Sequence, residues 1–319
     1  MKNLAPIAVF AFNRPMHLNK TLFALSKNFG ALDSELYVFI DGPRNNEDLP
    51  LIRECVSTSE KYSHMFKSFE IKVNQLNLGL ANSIITGINN VLEISSTVIV
   101  VEDDLITSPY FLDFINRGLT KYQNQKKVAS IHGFVLPFRK EMPKPFFIRG
   151  ADCWGWGTWS DRWKHFDTNG QELLDQLKSK NLIKQFNLND SYPFDQMLKD
   201  QIAGRNNSWA IRWHASMFLQ EKLTLYPART YVENIGFDGS GTHTGKTSIY
   251  YSQSAFYPQE LPEKVFESKK GLNEMSNWYR RVYFGQRTKM NKSLKGFYLK
   301  SRNSLKCFLS NLFKIFSKK

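Results

Sequence analysis

Residues 98 to 105 read Val-Ile-Val-Val-Glu-Asp-Asp-Leu, a run of β-branched residues that leads directly into three consecutive acids. Such a run is typical of a strand that is covered on both faces. Glu102, Asp103 and Asp104 then fall where the strand leaves the sheet, and ligands bind at the carboxyl ends of strands in open α/β sheets. Because three like charges repel one another, we expect a cation beside them, with Mg²⁺ or Mn²⁺ as the natural candidate. A solvent-exposed acidic turn is the alternative.

The segments around this stretch alternate between strand-like and helix-like patterns. This alternation predicts an α/β fold with a mostly parallel sheet flanked by helices. The second half of the chain is richer in Trp, Gly and loops, and the periodic pattern weakens after Tyr257. We therefore expect one domain over 1–257, with halves 1–125 and 126–257, followed by an extension over 258–319. The predicted strands of the first half are 7–12, 36–40, 71–73 and 98–101, and the predicted helices are 17–27 and 80–94.

The net charge of +14 is concentrated at the end of the chain. Residues 275–319 contain twelve Lys or Arg and no acid, which leaves +2 for the rest. The three scattered cysteines fit free thiols in a reducing compartment. The N-terminus does not resemble a signal peptide, and no apolar stretch reaches the roughly 18 residues that span a bilayer. We therefore expect a cytoplasmic protein.

Polar residues also follow the other predicted strands of the first half. Asn13-Arg14 and Asp41-Gly42 follow two of them, and Asn77-Leu-Gly79 precedes a helix. If the strands are parallel, these groups face one crevice. Arg14 can then meet phosphate, Asp41 a base edge or ribose hydroxyl, and Gly79 permits close backbone approach. Each segment alone is more typical of an ordinary turn or helix start, and their recurrence favours a nucleotide site.

Together these motifs, with Ser108-Pro109-Tyr-Phe, resemble the nucleotide-sugar half of a GT-A glycosyltransferase. They are similar to bacterial family 2-like sugar transferases and more distantly to the eukaryotic N-acetylglucosaminyltransferase I type, over roughly residues 5–245. The resemblance implies a nucleotide-diphosphate sugar donor, with UDP favoured, and a divalent Mn²⁺ or Mg²⁺ held mainly by Asp104. It also places Asp103 near the donor ribose or sugar and Asp41 near the base.

The second half contains Cys153-Trp-Gly-Trp-Gly-Thr-Trp159, in which glycines alternate with indoles. By the same resemblance, Trp154, Gly155 and Trp156 line the donor-sugar and acceptor side, although about half of such tryptophans are ordinary core residues. An inverting transferase also needs a carboxylate base. Ala210 stands where many relatives of the resembling type have Asp, so Asp195 is the nearest remaining candidate, with a solvated helix-start acid as the equal alternative.

A glycine-dense loop follows at 234–245, and it must be held by ligands or hydrogen bonds. His243 in this loop is a candidate second metal ligand or diphosphate contact, as a late His is in several GT-A enzymes. Asn234 and Asp238 are weaker candidates. A lone histidine more often has neither role.

The basic extension contains an apolar stripe at helical spacing, from Leu294 to Phe316. A basic amphipathic helix of this kind favours an anionic membrane surface. A helix docked on the protein itself is the alternative, and binding of nucleic acid is disfavoured because the stripe is continuous. We expect peripheral association with the inner face of the membrane.

The function predicted from the sequence is a metal-dependent, inverting glycosyltransferase in surface polysaccharide synthesis. Its acceptor would be a glycan or a lipid-linked molecule. Two alternatives remain. One is a nucleotidyltransferase or phosphotransferase on a similar sheet. Such an enzyme needs a Gly-rich, Lys-containing phosphate loop after the first strand, and Asn13-Arg14-Pro15 is a poor substitute for it. The other is a non-catalytic, membrane-attached protein that binds a glycan or nucleotide. Ala210, which stands in place of the expected acid, favours this hypothesis.

Overall fold

The computed structural model describes residues 4–239 and 247–285. Its helices and strands alternate through the first half, as the sequence pattern predicts. The strands are β1 (Ile7–Ala11), β2 (Glu35–Ile40), β3 (Ser68–Val73), β4 (Thr97–Glu102), β5 (Leu105–Thr107), β6 (Val128–His132), β7 (Phe146–Arg149), β8 (Trp156–Trp159), β9 (Leu223–Tyr226) and β10 (Val232–Asn234). The α-helices are α1 (Pro15–Ser26), α2 (Asp48–Glu60), α3 (Gly79–Ile94), α4 (Phe111–Lys121), α5 (Ser160–Trp163), α6 (Gly170–Ser179), α7 (Ile183–Phe186), α8 (Phe194–Ile202), α9 (Trp209–Leu219) and α10 (Lys269–Tyr279).

Eight strands form one central sheet in the order β3-β2-β1-β4-β8-β6-β9-β7. The first four are parallel to one another, whereas β8 runs antiparallel between β4 and β6. On the far side β9 is parallel to β6, and β7 is antiparallel to β9. Six of the eight strands thus share one direction. The predicted α/β class with a mostly parallel sheet flanked by helices is confirmed.

Helices cover both faces of this sheet because successive strand residues point to opposite sides. Val9 and Val101 pack with α1, α2 and α4 in one buried cluster, whereas Phe10 and Val100 pack with α3 and α9 in another. Burial on both faces explains the continuous apolar run of β4. In β1, β2 and β4, charged side chains are therefore confined to the strand ends, where the site lies.

A two-stranded antiparallel sheet lies beside the carboxyl end of β4. In it β5 pairs with β10, and Leu105 lies opposite Asn234. The pairing joins the residues just after the acidic stretch to a segment more than a hundred positions later in the chain. The two halves that we distinguished in the sequence therefore share one structure at this point.

Packing against the domain also continues past Tyr257, where we placed the start of the extension. The Tyr122 hydroxyl donates to the Pro262 carbonyl over 2.6 Å, and Met275 and Trp278 of α10 are buried in the main cluster. The apolar stripe from Leu294 to Phe316 lies outside the described residues, so its helix remains a prediction. None of the helices within 4–239 and 247–285 is both long and apolar enough to cross a bilayer.

Candidate active site

A cleft of about 610 Å³ lies at the carboxyl ends of β1, β2 and β4. Most of the side chains that the sequence analysis selected line it, as parallel strands would require. The cleft thus brings together the polar ends of three strands, the start of α3 and one tryptophan of the second half. The selected residues in its lining are Asn13, Arg14, Asp41, Asn77, Gly79, Asp103, Asp104, Trp154 and Asn234.

The three acids, which we call the acid turn (Glu102, Asp103 and Asp104), have a cation beside them that belongs to the chain. The Arg14 guanidinium donates to both oxygens of Asp103 and, over 3.0 Å, to Oδ2 of Asp104. Asp103 is buried, and its carbonyl accepts from the Thr21 hydroxyl over 2.7 Å. Arg14 thus offsets part of the charge of the three acids, and the divalent ion that we predicted beside them stays a prediction. Sequence reasoning placed Arg14 in the same crevice but did not pair it with the acids.

Burial and mutual repulsion govern ionisation in the acid turn. Burial raises the pKa of Glu102 above the usual carboxyl range, and the charges of Asp104 and Asp103 raise it further. Burial also raises the pKa of Asp103, although the neighbouring guanidinium opposes this effect. For Arg14 burial acts to lower the pKa, but the two aspartates outweigh it and raise the pKa. The acid turn is therefore a place where added positive charge is favoured.

Glu102 is the cleft residue that sequence reasoning quoted but did not assign. It lines the cleft, and no hydrogen bond or ion pair joins its carboxylate to any other residue within 4–239 and 247–285. Its position at the last residue of β4 was the available signal. A carboxylate without a protein partner is free to accept from a ligand.

The position of Asp104 is compatible with the role of metal ligand that we predicted for it. Its side chain is 15% exposed to the cleft, and one oxygen accepts from Arg14 while the other has no hydrogen bond to the described residues. No group of three or more His, Cys, Asp or Glu that suits a metal occurs in the described ranges. The free oxygen of Asp104 fits Mg²⁺ or Mn²⁺ that takes further ligands from phosphates and water.

Gly236 allows Asp104 to occupy this position. A Cβ at residue 236 would lie 2.2 Å from Asp104 Oδ2, so any side chain there would displace the carboxylate. The Ile235 amide also donates to the Asp104 carbonyl over 2.9 Å. The start of the glycine-dense loop thus holds the acid turn. His243, our candidate second ligand, lies outside the described residues.

Asp41 organises the wall of the cleft and does not point a free carboxylate into it. Its two oxygens accept hydrogen bonds from the Gly42, Leu78 and Gly79 amides and from the side chains of Asn74 and Asn77, over 2.9 to 3.1 Å. The predicted contact of Asp41 with a base or ribose would compete with all five bonds. Asn77 is likewise tied to Asp41 and to the Gly42 carbonyl. Gly79, at φ +74°, starts α3 where this network ends.

A second arginine stands at the cleft and was missed in the sequence. Asp48, which is buried at the start of α2, accepts from Asn13 over 2.7 Å and from Arg44 over 3.1 Å. The Arg44 guanidinium lies 4.7 Å above the ring of Phe12, and its side chain remains 58% exposed. The hydrogen bond from Arg44 lowers the pKa of Asp48. The position of Arg44 just after a strand end was the signal that could have identified it.

Of the three residues predicted to line the sugar side, only Trp154 lines the cleft. Trp156 is fully buried and packs within 6 Å, ring to ring, of three other indoles. We call these four the tryptophan cluster: Trp156, Trp163, Trp209 and Trp213. The predicted pocket role of Trp156 is therefore wrong, because both faces of β8 are covered by helices. Gly155, at φ +67°, accepts from the Gly133 amide and contacts the core, so it shapes the turn that presents Trp154.

The predicted base lies outside the lining of the cleft, and its catalytic role stays a prediction. Asp195, at the start of α8, is not among the residues that line the cleft. It accepts from Asn187 over 2.6 Å and from Lys199 over 2.5 Å. Burial acts to raise its pKa, but these two bonds outweigh it and keep the pKa below the usual value. Asp195 is thus an ion-paired acid of the helix start. Asp238 contacts His17 over 3.1 Å, and Ala210 packs on the tryptophan cluster side of the sheet.

Comparisons with known proteins give similarities of fold alone. No protein-family model and no curated protein matches this chain. Residues 1–349 of TarS from S. aureus are 12% identical over 55% of this chain and 49% of that one, with a TM-score of 0.34. A cytidylyltransferase from Leptospira borgpetersenii is 10% identical over 52% of this chain and 64% of that one, with a TM-score of 0.33. The match spans only a quarter of a longer TarS chain. Similarities of this size do not assign a function.

Proposed function

We propose that this chain is a glycosyltransferase that takes its sugar from a nucleoside-diphosphate donor, with UDP favoured. The observation that carries the proposal is the cleft, which joins a cationic side chain, a carboxylate available to a divalent ion and an indole at the carboxyl ends of parallel strands. A donor of this class has matching parts: a base, a diphosphate and a sugar ring. Inversion at the anomeric carbon belongs to the proposal through the resemblance to GT-A enzymes.

Arg14 is the residue that we assign to the diphosphate. Its guanidinium lies in the cleft, and charge-assisted bonds from Arg to phosphate are strong and directional. Both carboxylate oxygens of Asp103 accept from Arg14, so we assign Asp103 the role of orienting that guanidinium. Arg44 at the cleft adds a second positive charge beside Asn13. The leaving diphosphate gains negative charge as the sugar departs, and these positive groups stabilise it.

Mn²⁺ or Mg²⁺ would be held at Asp104, with donor phosphates as further ligands and His243 as a proposed second protein ligand. When bound, such an ion acts as a Lewis acid that stabilises negative charge on the phosphate oxygens. The same carboxylate accepts from Arg14, so the guanidinium and the ion share one anionic site. The absence of a side chain at Gly236 leaves room for the Asp104 carboxylate to contact Arg14 or the ion.

The acceptor and the location of the reaction rest on the sequence of the extension. We propose a glycan or lipid-linked acceptor in surface polysaccharide synthesis, and peripheral attachment to the inner face of the membrane. The twelve basic residues and the apolar stripe of 275–319 support attachment to anionic lipid.

A donor-binding and hydrolysis assay tests the proposal. Nucleoside diphosphates and nucleotide sugars are added to the full chain with and without Mn²⁺, and both the melting temperature and the release of nucleoside diphosphate are measured. We expect UDP with Mn²⁺ to raise the melting temperature, because a ligand that binds only the native state stabilises it. We expect Asp104→Ala to abolish metal-dependent release, whereas Asp33→Ala, an exposed aspartate outside the cleft, should not.

Unchanged metal-dependent release in Asp104→Ala would contradict the site assignment. Formation of a nucleotide sugar from a sugar phosphate and a nucleoside triphosphate, without transfer from a nucleotide sugar, would establish a nucleotidyltransferase instead. Binding without any turnover would establish a binding protein.

A further inference from the structure

We propose that Asp152 and the aromatic side chains around it bind the acceptor. The acceptor would be a sugar that stacks on the aromatic side chains and donates a hydroxyl hydrogen bond to Asp152. This inference rests on the proposed function, since it supplies the second substrate of the same reaction. Asp152 and the tyrosines around it lie outside the lining of the cleft, and Trp154 is common to both sites.

Asp152 differs from three aspartates of its part of the chain in lacking a Lys or Arg partner within the described residues. Asp161, Asp195 and Asp200 each pair with a Lys or Arg. Asp152 has no such partner among the described residues, although its side chain is 37% exposed. The nearest basic group is Nε2 of buried His132, at 4.0 Å, and this nitrogen accepts from the Trp154 amide over 3.0 Å. Burial lowers the pKa of His132, so no charge opposes that of Asp152 there.

The surroundings of Asp152 are aromatic and neutral. Burial raises the pKa of Tyr226, Tyr250 and Tyr279, and the charge of Asp152 contributes to the rise in all three. All three phenols remain protonated, and Tyr226 lies beside Asp152 because His132 is 4.0 Å from the carboxylate and 5.1 Å, ring to ring, from Tyr226. Phenol groups donate and accept hydrogen bonds while their rings offer apolar faces.

The rings form a continuous wall that begins at the cleft. Trp154 lines the cleft and meets Tyr250 edge to face at 5.1 Å between centroids. Tyr250 contacts Trp278 at 5.3 Å, and Trp278 contacts Tyr279 at 5.1 Å. Tyr279 in turn contacts Tyr192 at 4.8 Å. Tyr192, Tyr250 and Tyr279 are each partly exposed. Trp154 is thus a shared wall between the cleft and the aromatic surface.

Asp152 also lies next to the cleft, because His132 Nε2 is 4.0 Å from its carboxylate and accepts from the amide of Trp154, which lines the cleft. The thiol of Cys153, the next residue, has its pKa raised by burial and by the charges of Asp152, Glu102 and Asp104. One side chain therefore lies within reach of both acidic groups. A ligand at Asp152 would be next to a donor in the cleft.

The chemistry of this surface matches a carbohydrate. Ligand sites combine apolar and aromatic walls with a few polar groups that fix orientation. A pyranoside ring presents C–H groups to an aromatic face and hydroxyls at its edge, and a carboxylate accepts hydroxyl hydrogen bonds strongly. A quaternary ammonium ligand would also suit aromatic rings and an acid. We favour the sugar because the surface adjoins the proposed donor cleft.

Binding experiments on the full chain test the inference. Methyl glycosides of glucose, galactose, mannose and N-acetylglucosamine, and separately choline chloride, are titrated with UDP present, and tryptophan fluorescence and the melting temperature are followed. We expect at least one glycoside to bind and to change the fluorescence of Trp154. We expect Asp152→Asn to weaken that binding about tenfold, since a hydrogen bond to a charged acceptor becomes one to a neutral amide oxygen.

Two further variants control the experiment. Asp175→Asn, an exposed aspartate on α6, should bind the glycoside as the wild type does. Tyr250→Leu removes a ring without touching Asp152 and should also weaken glycoside binding. Both Asp152→Asn and Tyr250→Leu should retain the thermal shift with UDP.

Three results would overturn the inference: no glycoside binds while UDP does, Asp152→Asn and Tyr250→Leu bind glycoside normally, or only choline binds. Loss of the UDP shift in the wild type would instead contradict the proposed function.

Discussion

The edge of the cleft and the tryptophan cluster both contain residues that stand out in the sequence, but they differ in whether those residues are exposed to a ligand. At the cleft edge, Arg14 and Asp104 face a ligand-sized space at the ends of strands. In the tryptophan cluster, Trp156 and Trp213 are fully buried between the sheet and α9. Both regions attract attention in the sequence, yet only the first presents its groups to solvent. A polar residue directly after a buried strand thus indicates a site better than a dense aromatic motif does.

Loss of Trp156 should give the largest change in stability. We expect Trp156→Ala to lower the free energy of unfolding by about 3–5 kcal/mol, because it leaves a large cavity among three indoles. Trp154→Ala should cost less, because that ring is partly exposed, but it should change ligand binding. Urea denaturation of both variants measures the difference. Equal losses of stability would remove the distinction between the two regions.

Removal of Asp41 should have the next largest effect. Asp41→Ala leaves the Leu78 and Gly79 amides without their acceptor, and we expect a loss of about 2–4 kcal/mol. Hydrogen exchange of those two amides should accelerate more than that of β2. Asp33→Ala, outside the network, is the control and should change stability by less than about 0.5 kcal/mol. A neutral result for Asp41→Ala would show that the network does not hold the wall of the cleft.

Arg14 should have a smaller effect on stability and a specific effect on metal response. Arg14→Ala leaves Asp103 buried without its partner, and we expect a loss of about 1–3 kcal/mol, below that of a fully buried pair because Arg14 is partly exposed. Mn²⁺ should then raise the melting temperature more than in the wild type. Arg205→Ala breaks an exposed Arg–Asp pair and serves as the control. Identical Mn²⁺ responses in the two variants would contradict a shared anionic site.

The smallest predicted effect concerns His132 and His214. Burial lowers the pKa of His132 and His214 from the ordinary value of 6.5. The stability that depends on their neutral forms is therefore fully present above about pH 6.5 and is lost as the pH falls from there through their lowered pKa values. The melting temperature should decline below that pH. His214→Phe should flatten the decline, although it also removes the bond to Ala151. His64→Gln, at an exposed position, should not.

Strand ends were predictable from the sequence because they depend on local order along the chain. The apolar runs of β1, β2 and β4 each end at a polar residue, and parallel alignment alone brings Arg14, Asp41 and Asp104 together. The α/β class follows from the same alternation.

The hydrogen-bond and packing partners of these residues were not predictable from local sequence. The pairing of Arg14 with Asp103 spans 89 positions, and the five donors to Asp41 saturate a carboxylate that looks free in the sequence. Trp156 was misassigned because burial of β8 depends on which helices cover it. Asp195 was chosen by proximity in sequence, whereas its location depends on the packing of α8 against α6 and α9.

The pairing of β5 with β10 bears on how the protein folds. The hydrogen bonds of Leu105 and Thr107 come from residues 232–234, so a fragment that ends at residue 125 would have the acids but no strand to fix them. Contacts this distant in sequence are formed late and slow the folding of a domain. A nascent chain would therefore complete the cleft only after nearly the whole domain had left the ribosome.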